Sequence, residues 1–373
     1  PPGAYMIIPE EWGALRDRVL FAAQLGDSTN LWQLPLSADG RAAGTPQRLT
    51  SGSGLELHPS AAPGGLFVFA SLQDRVDIWK LPMEVSQAKV TGGMERLTSG
   101  AAAKLAPVVS GDGKKVVFVS KRSGRPEVWL KDLESGKETA LAAINSLEGW
   151  PAVSADGSKV AYGTGENDRR VIYVAPTSGG VPERVCEDCN TAWSLTSHAK
   201  KMLYWPPGRS VGLLDLASRQ KTEILQRPGY AIYRTRFSPD DRWIAFHARN
   251  RPGRSTVFVA PFRGATAIAD RDWIPVTDGE SYDLAPSWSP DGGVLYFISE
   301  RDGFRCLWAA RLDPATKHPA GPPLPIQHFH TATRSMIHLT TNWLGLSAAR
   351  DMLVFNLGEM SGNVWMAKAG TRE

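Results

Sequence analysis

The sequence has little of what marks several functional classes. No apolar run approaches the roughly 20 residues that a membrane-spanning helix needs. Only three cysteines occur, which excludes a four-cysteine zinc site. The net charge is only +4 and the basic residues form no long block, so the charge gives no indication of nucleic-acid binding. The chain opens Pro1-Pro2-Gly3 without an initiating Met or a signal peptide, and we expect that other residues precede it in the full-length protein.

Glycine and proline are abundant, at 36 and 27 residues, and they are spread along the chain. This distribution favours many short strands joined by tight turns. Within it a phrase Pro-x-x-Ser-x-Asp-Gly recurs at intervals of roughly 40 to 60 residues. An apolar run and then an aromatic-bearing run follow each copy. Clear copies lie at 107–113, 151–157 and 286–292, degraded ones at 59–65 and 235–241, and weak ones begin at Glu11, Trp193 and Leu344.

A repeat of this length with four strand-like runs is typical of a β-propeller, with x-Asp-Gly as the turn after the first strand. The count predicts an all-β, eight-bladed propeller of four-stranded antiparallel blades, with seven blades as the alternative. We expect one propeller domain over residues 1–373. The N-terminal strand at 5–9 is predicted to complete the last blade and close the ring, which removes exposed strand edges.

The Pro-x-x-Ser-x-Asp-Gly phrase followed by an aromatic strand resembles the TolB-like propeller repeat over nearly the whole chain. TolB-type proteins have six blades, so the predicted count departs from theirs and is closer to dipeptidyl-peptidase-type propellers. The resemblance also extends to propellers that follow bacterial kinases or winged-helix regulators, which implies such a domain upstream. It further implies a periplasmic or otherwise extracytoplasmic location. The sequence contains no combination of residues that would form a complete catalytic site. The resemblance implies a non-enzymatic module that binds a protein, peptide or small ligand.

Candidate binding residues follow from where each repeat begins. In a propeller the loop that leads into each innermost strand lies at the rim of the central channel. Aligning the repeats places carboxylates, amides and aromatics at this rim, a composition typical of recognition surfaces. The predicted ligand-binding residues are Glu56, His58, Lys104, Glu148, Trp150, Asn190, Trp193, Arg234, Asp283 and Trp343. The alternative is that these are solvated loop residues or pack on neighbouring blades.

Two enzymatic alternatives remain open. A metal-assisted hydrolase or lactonase would bind calcium through Glu56, Glu148, Asn190 and Asp283; otherwise no cofactor is expected. The chain could also be the accessory propeller of an oligopeptidase without its hydrolase domain. Residues 208–212 match the G-x-S-x-G nucleophile pattern, but strand-like runs on both sides predict a hairpin turn rather than the required strand–turn–helix.

Cysteines and histidines offer few further sites. Cys186 and Cys189 form a C-x-x-C without a second pair, for which a local disulfide, free thiols and a redox or metal role are all open. Cys306 is expected to be a buried thiol. His318, His328, His330 and His338 gather before the last repeat, where a solvated loop is the plain interpretation. His328 and His330 alternate on one strand face, and a transition-metal site there is the alternative.

Overall fold

The described residues form antiparallel strands joined by short turns, with 3-10 turns at Val85–Gln87 and Asp270–Asp272. Among them there is no helix of a length and apolarity that could cross a membrane. By backbone packing the chain divides into two compact units, one of residues 1–75 with 359–373 and one of residues 76–358. The structure is a computed structural model and describes residues 6–11, 17–25, 28–52, 54–62, 65–145, 150–166, 169–331, 333–337 and 339–368.

The repeated Ser-x-Asp-Gly phrase forms a hydrogen-bonded turn, which explains why these residue types recur together. Ser110 Oγ donates to Asp112 Oδ1 at 2.5 Å and accepts from the Lys115 N–H at 3.1 Å. Gly113 adopts φ +73°, a left-handed conformation that glycine tolerates without strain. The same Ser–Asp bond recurs at Ser154, Ser238 and Ser289. The predicted turn is therefore confirmed.

The smaller unit contains the N-terminal strands. β1 pairs antiparallel with β2 (Met6↔Gln24), β2 pairs with β3, and β3 makes a parallel contact with β5. These strands therefore form one continuous series rather than separate blades. The strands are β1 (Met6–Glu11), β2 (Arg18–Leu25), β3 (Ser28–Pro35), β4 (Gln47–Arg48), β5 (Leu55–Ala62) and the first part of β6 (Leu66–Glu84).

The larger unit contains five four-stranded antiparallel sheets, each a blade, among its described residues. The first strands of successive blades contact one another, so they surround a common axis. The blades are β9 (Lys104–Val109), β10 (Lys115–Ser120), β11 (Glu127–Asp132) and β12 (Glu138–Ala143); β13 (Ala152–Val153), β14 (Lys159–Glu166), β15 (Arg169–Pro176) and β16 (Glu183–Glu187); β17 (Thr191–Leu195), β18 (Lys201–Trp205), β19 (Val211–Asp215) and β20 (Lys221–Leu225); β21 (Ala231–Phe237), β22 (Trp243–Arg251), β23 (Arg254–Pro261) and β24 (Ile274–Pro275); β25 (Asp283–Trp288), β26 (Val294–Ser299), β27 (Cys306–Arg311) and β28 (Leu324–Gln327).

Further strands of this unit lie between the fifth and first blades. The Ala348 N–H donates to Ser287 Oγ of β25 at 2.9 Å, and the Val109 N–H of β9 donates to Ser347 Oγ at 3.2 Å. One short strand therefore contacts both neighbouring first strands. The strands outside the five blades are the second part of β6, β7 (Lys89–Val90), β8 (Glu95–Arg96), β29 (Arg334–Ser335), β30 (Leu346–Ala349) and the first part of β31 (Met352–Lys368).

The predicted blade count is wrong: five blades are present among the described residues, neither eight nor seven. The count treats the two N-terminal repeats as blades, yet the strands of the first repeat and the first strands of the second form one continuous series in the smaller unit. The last repeat provides β30 and part of β31 without a four-stranded sheet of its own. Closure of the ring by the N-terminal strand is also wrong, because β1 pairs with β2. The all-β class and the four-stranded antiparallel blades are correct.

The core of the larger unit lies between neighbouring blades. One apolar cluster, for example, joins Ile172 of the second blade to Met202 and Leu214 of the third, each fully buried. Such face-to-face packing explains the nearly continuous apolar runs of the middle strands, which are covered on both sides. Packing between neighbouring blades brings the starts of their first strands close together, and a pocket lies at these strand starts.

Candidate functional site

A pocket of about 180 Å³ lies where the first strands of several blades begin. Loops that precede β13 and β30 contribute to it, as do the starts of β17, β21 and β25 and the ends of β18 and β22. All of the lining belongs to the larger unit. The lining residues are Trp150, Thr191, Trp205, Tyr233, Arg234, His247, Arg249, Tyr282, Leu284, Thr341 and Asn342.

Arg234 is the most buried cation of the pocket. Its side chain reaches across the axis, where Nη2 donates to the carbonyl oxygens of Thr341 and Asn342, at 3.1 Å each. Its guanidinium carbon lies 4.0 Å from the ring centroid of Trp150. Burial, with the nearby positive charge of Arg236, lowers the pKa of Arg234 to about 9, so the group remains protonated at neutral pH.

Aromatic rings line one side of the pocket. Trp205 stacks on Trp193 with ring centroids 6.0 Å apart and meets Tyr233 edge-on at 5.8 Å. The guanidinium of Arg249 lies over Tyr233 at 5.2 Å, and Arg249 is exposed. Burial opposes its charge, but the Tyr233 and Tyr282 hydroxyls outweigh this and raise the pKa of Arg249. The pocket thus has a buried arginine at its base and an exposed one at its opening.

His247 lies between these cations as a neutral group. Its ring stacks on Tyr233 at 5.5 Å, and the side chain is 6% exposed. Burial, together with the charges of Arg234 and Arg249, lowers the pKa of His247 to about 3. Its Nδ1 atom is buried and has no hydrogen-bond partner among the described residues. A buried ring nitrogen without a partner is costly, which indicates that a ligand or water supplies one.

The charged side chains that line the pocket are all positive. Two arginines line it, whereas no aspartate or glutamate occurs among its lining residues. Arg236 adds a further, half-buried positive charge nearby, with its pKa lowered to about 10 by desolvation. Arginine side chains bind carboxylates through paired N–H groups, and the tyrosine and tryptophan rings provide flat apolar contact area. The arrangement suits an anion attached to an apolar or planar group.

Sequence and structure comparisons locate the fold among known proteins. No protein-family model matches the chain. A TolB homologue of Chlorobium chlorochromatii is 26% identical over 137 residues, which is 36% of this chain and 31% of the relative. The Tol-Pal system protein TolB of Francisella tularensis is 24% identical over 216 residues, which is 56% of this chain and 48% of the relative. The matches therefore span less than half the length of each of these curated relatives.

Two solved TolB structures resemble the chain. That from Agrobacterium tumefaciens has a TM-score of 0.56 at 17% identity and covers 78% of this chain and 99% of its own. That from Acinetobacter baumannii has a TM-score of 0.51 at 16% identity, with 79% and 76% covered. The described part of the chain has a TolB-like β-propeller fold. The resemblance carried by the repeated Ser-x-Asp-Gly phrase is thus confirmed.

In this TolB-like protein the predicted rim residues of the smaller unit have structural partners. Glu56 is 5% exposed and accepts from Asn30 Nδ2 at 2.8 Å and from Thr50 Oγ1. His58 is exposed and adopts φ +52°. The Glu56 contacts link the third and fourth strands of one repeat to the start of the next. This is a structural role, and it explains a polar residue at that position.

The same link recurs in the larger unit at Lys104. Lys104 is 1% exposed, and its Nζ donates to Asp77 Oδ1 at 2.8 Å. Thr98 Oγ1 donates to the same Asp77 oxygen at 3.0 Å. Burial lowers the pKa of Lys104 despite the opposing effect of Asp77. Lys104 therefore connects neighbouring strands, and its ammonium group is already paired with the Asp77 carboxylate.

The other predicted carboxylates and amides do not converge on the pocket. Asp283 is fully buried and its Oδ1 pairs with Arg301 at 3.1 Å. Asn190 Nδ2 donates to the carbonyl of Pro206 at 3.2 Å. Glu148 lies outside the described residues. Of the residues predicted to bind calcium, neither Asp283 nor Asn190 lines the pocket.

Of the predicted aromatic and cationic residues, Trp150 and Arg234 line the pocket. Trp193 lies behind Trp205 and is buried. Trp343 accepts from Ala106 N and Asn356 Nδ2 through its backbone carbonyl, at 3.0 and 2.8 Å. Two of the predicted rim residues, Trp150 and Arg234, therefore lie together in the pocket with further aromatic side chains.

The remaining motifs are structural. Residues 208–212 cover the end of the β18–β19 turn and the start of β19, and the Trp205 ring N–H donates to the Gly208 carbonyl at 3.0 Å. Cys186 and Cys189 are joined by a disulfide, with Cα atoms 5.9 Å apart. It lies in the link from β16 to β17 and thus closes a short loop between blades.

Sequence reasoning missed Trp205, His247 and Arg249. They belong to second strands, whereas the prediction covers only the loops before first strands. Antiparallel pairing brings them to the rim, since Thr191 pairs with Trp205 and Tyr233 with His247. The hairpin pairing itself is the signal that would have found them, because the start of a first strand faces the end of the second.

Proposed function

We propose that this TolB-like chain is a non-enzymatic binding module whose axial pocket receives a carboxylate-bearing segment of a protein partner. The observation that carries the proposal is the pairing of Arg234 and Arg249 in a pocket without an acidic lining residue. A resident anion would compensate the charge of Arg234, since burying a cation without a counter-charge is unfavourable.

The unpartnered Nδ1 atom of His247 supports the same proposal. A neutral imidazole can donate one hydrogen bond to an anion without carrying a charge of its own. The two tyrosine hydroxyls at the pocket are further donors to a carboxylate. Aromatic rings beside these donors would contact the apolar part of the partner residue.

A protein partner is favoured over a free metabolite by two points. The TolB relatives are named as proteins of the Tol-Pal system, which makes assembly with other proteins the parsimonious role for this chain. Arg249 is exposed at the pocket opening, where a docking surface could reach it. We further propose an extracytoplasmic location, supported by the bacterial TolB relatives and by the Cys186–Cys189 disulfide.

The experiment is a fluorescence titration, because Trp150 and Trp205 line the pocket and report on its occupancy. The probes are two blocked dipeptides, acetyl-Phe-Glu-amide and acetyl-Phe-Gln-amide, which differ only in the carboxylate. We expect the acidic probe to bind at least about tenfold more tightly, equivalent to about 1.4 kcal/mol. Binding should weaken as salt increases, because the attraction is between charges.

The matched variants are Arg249→Met and Arg125→Met. Both arginines are exposed in the larger unit, but Arg125 lies outside the pocket. We expect Arg249→Met to abolish the preference for the acidic probe and Arg125→Met to retain it. Equal binding of the two probes, or an unchanged preference in Arg249→Met, would contradict the proposal. Free glutamate binding as tightly as the blocked peptide would replace the protein segment with a small acid.

A further inference from the structure

A second group of chemically reactive side chains lies in the fifth blade, away from the residues that line the axial pocket. Asp302 is in the β26–β27 turn, Cys306 begins β27, and His328 and His330 follow β28. The donor atoms of these four side chains all lie within 4.8 Å of one another. Among the described residues this is the one group of three or more such side chains that could hold a metal ion. We propose that these four residues bind one zinc ion.

The fold brings the four donors together through the pairing of two strands. Leu307 pairs with Gln327, so the residues just before Leu307 and just after Gln327 are neighbours at one sheet edge. Asp302 reaches this edge from the turn before β27. Its Oδ2 atom lies 2.7 Å from His328 Nδ1 and 2.9 Å from His330 Nε2. Nitrogen atoms of both imidazoles therefore lie within hydrogen-bonding distance of the same carboxylate oxygen.

The donor types select the metal. A thiolate, two imidazoles and a carboxylate are the ligands that zinc binds in tetrahedral sites, whereas calcium requires oxygen ligands throughout. Bond lengths of about 2.0–2.1 Å to nitrogen and oxygen would separate neighbouring donors by about 3.3 Å in a tetrahedron. The present nitrogen–oxygen distances need to open by about half an ångström, which is within the reach of partly exposed side chains.

The ligands are held in place by groups that do not themselves bind metal. The ring of His330 stacks on Phe304 at 4.5 Å, and that of His328 meets Trp308 edge-on at 5.7 Å. The Phe329 N–H donates to Cys306 Sγ at 3.3 Å, which orients the sulfur. Such outer contacts fix ligand orientation at metal sites. Cys306 is fully buried while the histidine side chains are 43% exposed, so an ion can enter from solvent.

Four protein ligands would leave no open coordination position, so the ion would be structural rather than catalytic. It would tie the β26–β27 turn to the link that follows β28. This role is independent of the carboxylate pocket, and neither His328 nor Cys306 lines that pocket. Failure of the zinc proposal would therefore not contradict the proposed function, and failure of the proposed function would not contradict the zinc proposal.

The test uses Zn²⁺ and Co²⁺ as probes on the metal-free protein with the Cys186–Cys189 disulfide intact. We expect one Zn²⁺ per chain by calorimetry and by metal analysis after dialysis. Co²⁺ should give the visible bands of a tetrahedral ion and a near-ultraviolet thiolate-to-metal band. Trp308 fluorescence should change on binding, because its ring contacts that of His328.

The variants are His328→Ala, His330→Ala and Cys306→Ser, with His318→Ala as the matched control on an exposed position of the same blade. We expect each cluster variant to weaken Zn²⁺ binding at least about 100-fold, since even residues that only orient ligands account for 10- to 100-fold. Cys306→Ser should also remove the thiolate band. The exposed histidine variants serve if Cys306→Ser unfolds. Absent Zn²⁺ binding, or binding unchanged in both histidine variants, would overturn the proposal.

Discussion

The guanidinium carbon of Arg234 lies 4.0 Å from the ring centroid of Trp150, and its Nη2 atom donates to the carbonyls of Thr341 and Asn342. Arg234 belongs to β21 of the fourth blade, whereas Trp150 precedes the second blade and Thr341 and Asn342 lie in the loop before β30. One arginine therefore connects segments that lie on different sides of the propeller axis. It provides positive charge to the pocket and at the same time holds its walls together.

Replacing Arg234 should therefore affect stability as well as binding. We expect Arg234→Met to lower the free energy of unfolding by about 2–4 kcal/mol, since it removes a desolvated cation–π contact and two charge-assisted hydrogen bonds. Arg249→Met should change it by less than about 0.5 kcal/mol because Arg249 is exposed. Urea denaturation of both variants measures the difference. Equal, small effects would show that Arg234 does not connect the segments.

Acid stability should depend on His247. Its pKa is lowered from 6.5 to about 3 in the folded protein, so between these values only the unfolded state takes up the proton. The contribution to stability is complete above pH 6.5 and is lost as the pH falls towards 3, at about 1.4 kcal/mol per pH unit. We expect His247→Phe to lose less stability than the wild type between pH 6 and 4.

The measurement is the free energy of unfolding in urea at several pH values. Exposed His318 provides the control, and His318→Phe should follow the wild-type pH dependence. Carboxylate titration contributes equally to all three proteins, and the difference between them isolates His247. Parallel curves for the wild type and His247→Phe would contradict the burial of a neutral imidazole.

The Lys104–Asp77 pair should stabilise the larger unit only as a pair. Both side chains are buried, at 1% and 2% exposure. Removing Asp77 leaves the buried Lys104 ammonium without a counter-charge, and we expect Asp77→Leu alone to cost about 3–5 kcal/mol. Lys104→Met should cost less, because Arg96 still pairs with Asp77 at 3.3 Å. The double variant should cost clearly less than Asp77→Leu alone. As a control, loss of the exposed Lys114–Glu134 pair should have little effect on thermal unfolding.

The repeat could be read from the sequence because its turn is local. Ser110, Asp112 and Gly113 interact within four positions, so the turn and the strands beside it follow from their own residues. The blade count could not be read, because it depends on which strands pair at long range. Thr29, for instance, makes a parallel bridge to Leu55, and no local pattern distinguishes this from a blade boundary.

The site was only partly predictable for a related reason. Position in the repeat placed Trp150 and Arg234 at the rim, and both line the pocket, but it could not show which rim residues already have partners. Glu56, Lys104 and Asp283 are bound by Asn30, Asp77 and Arg301, each distant in the sequence. His247 and Arg249 reach the pocket through strand pairing rather than through a rim position.

A recurrent backbone distortion at the rim provides the last prediction. The residue before the repeat proline has positive φ in several repeats, including Ala106 at +49° and Ala285 at +53°. The pairing registers of β9 and β25 shift there, so each of these two first strands carries a bulge at its start. Alanine is strained in this conformation by about 1–2 kcal/mol, whereas glycine is not.

We therefore expect Ala285→Gly to leave the free energy of unfolding unchanged or to raise it by up to about 1 kcal/mol, since relief of strain offsets the greater flexibility of the unfolded chain. Ala309→Gly is the matched control, because Ala309 is equally buried but lies in the regular strand β27. It should cost about 1 kcal/mol or more. Ala285→Val should be destabilising, because a β-branched residue fits positive φ poorly. If Ala285→Gly destabilises as much as Ala309→Gly, the backbone of the bulge is not strained by alanine.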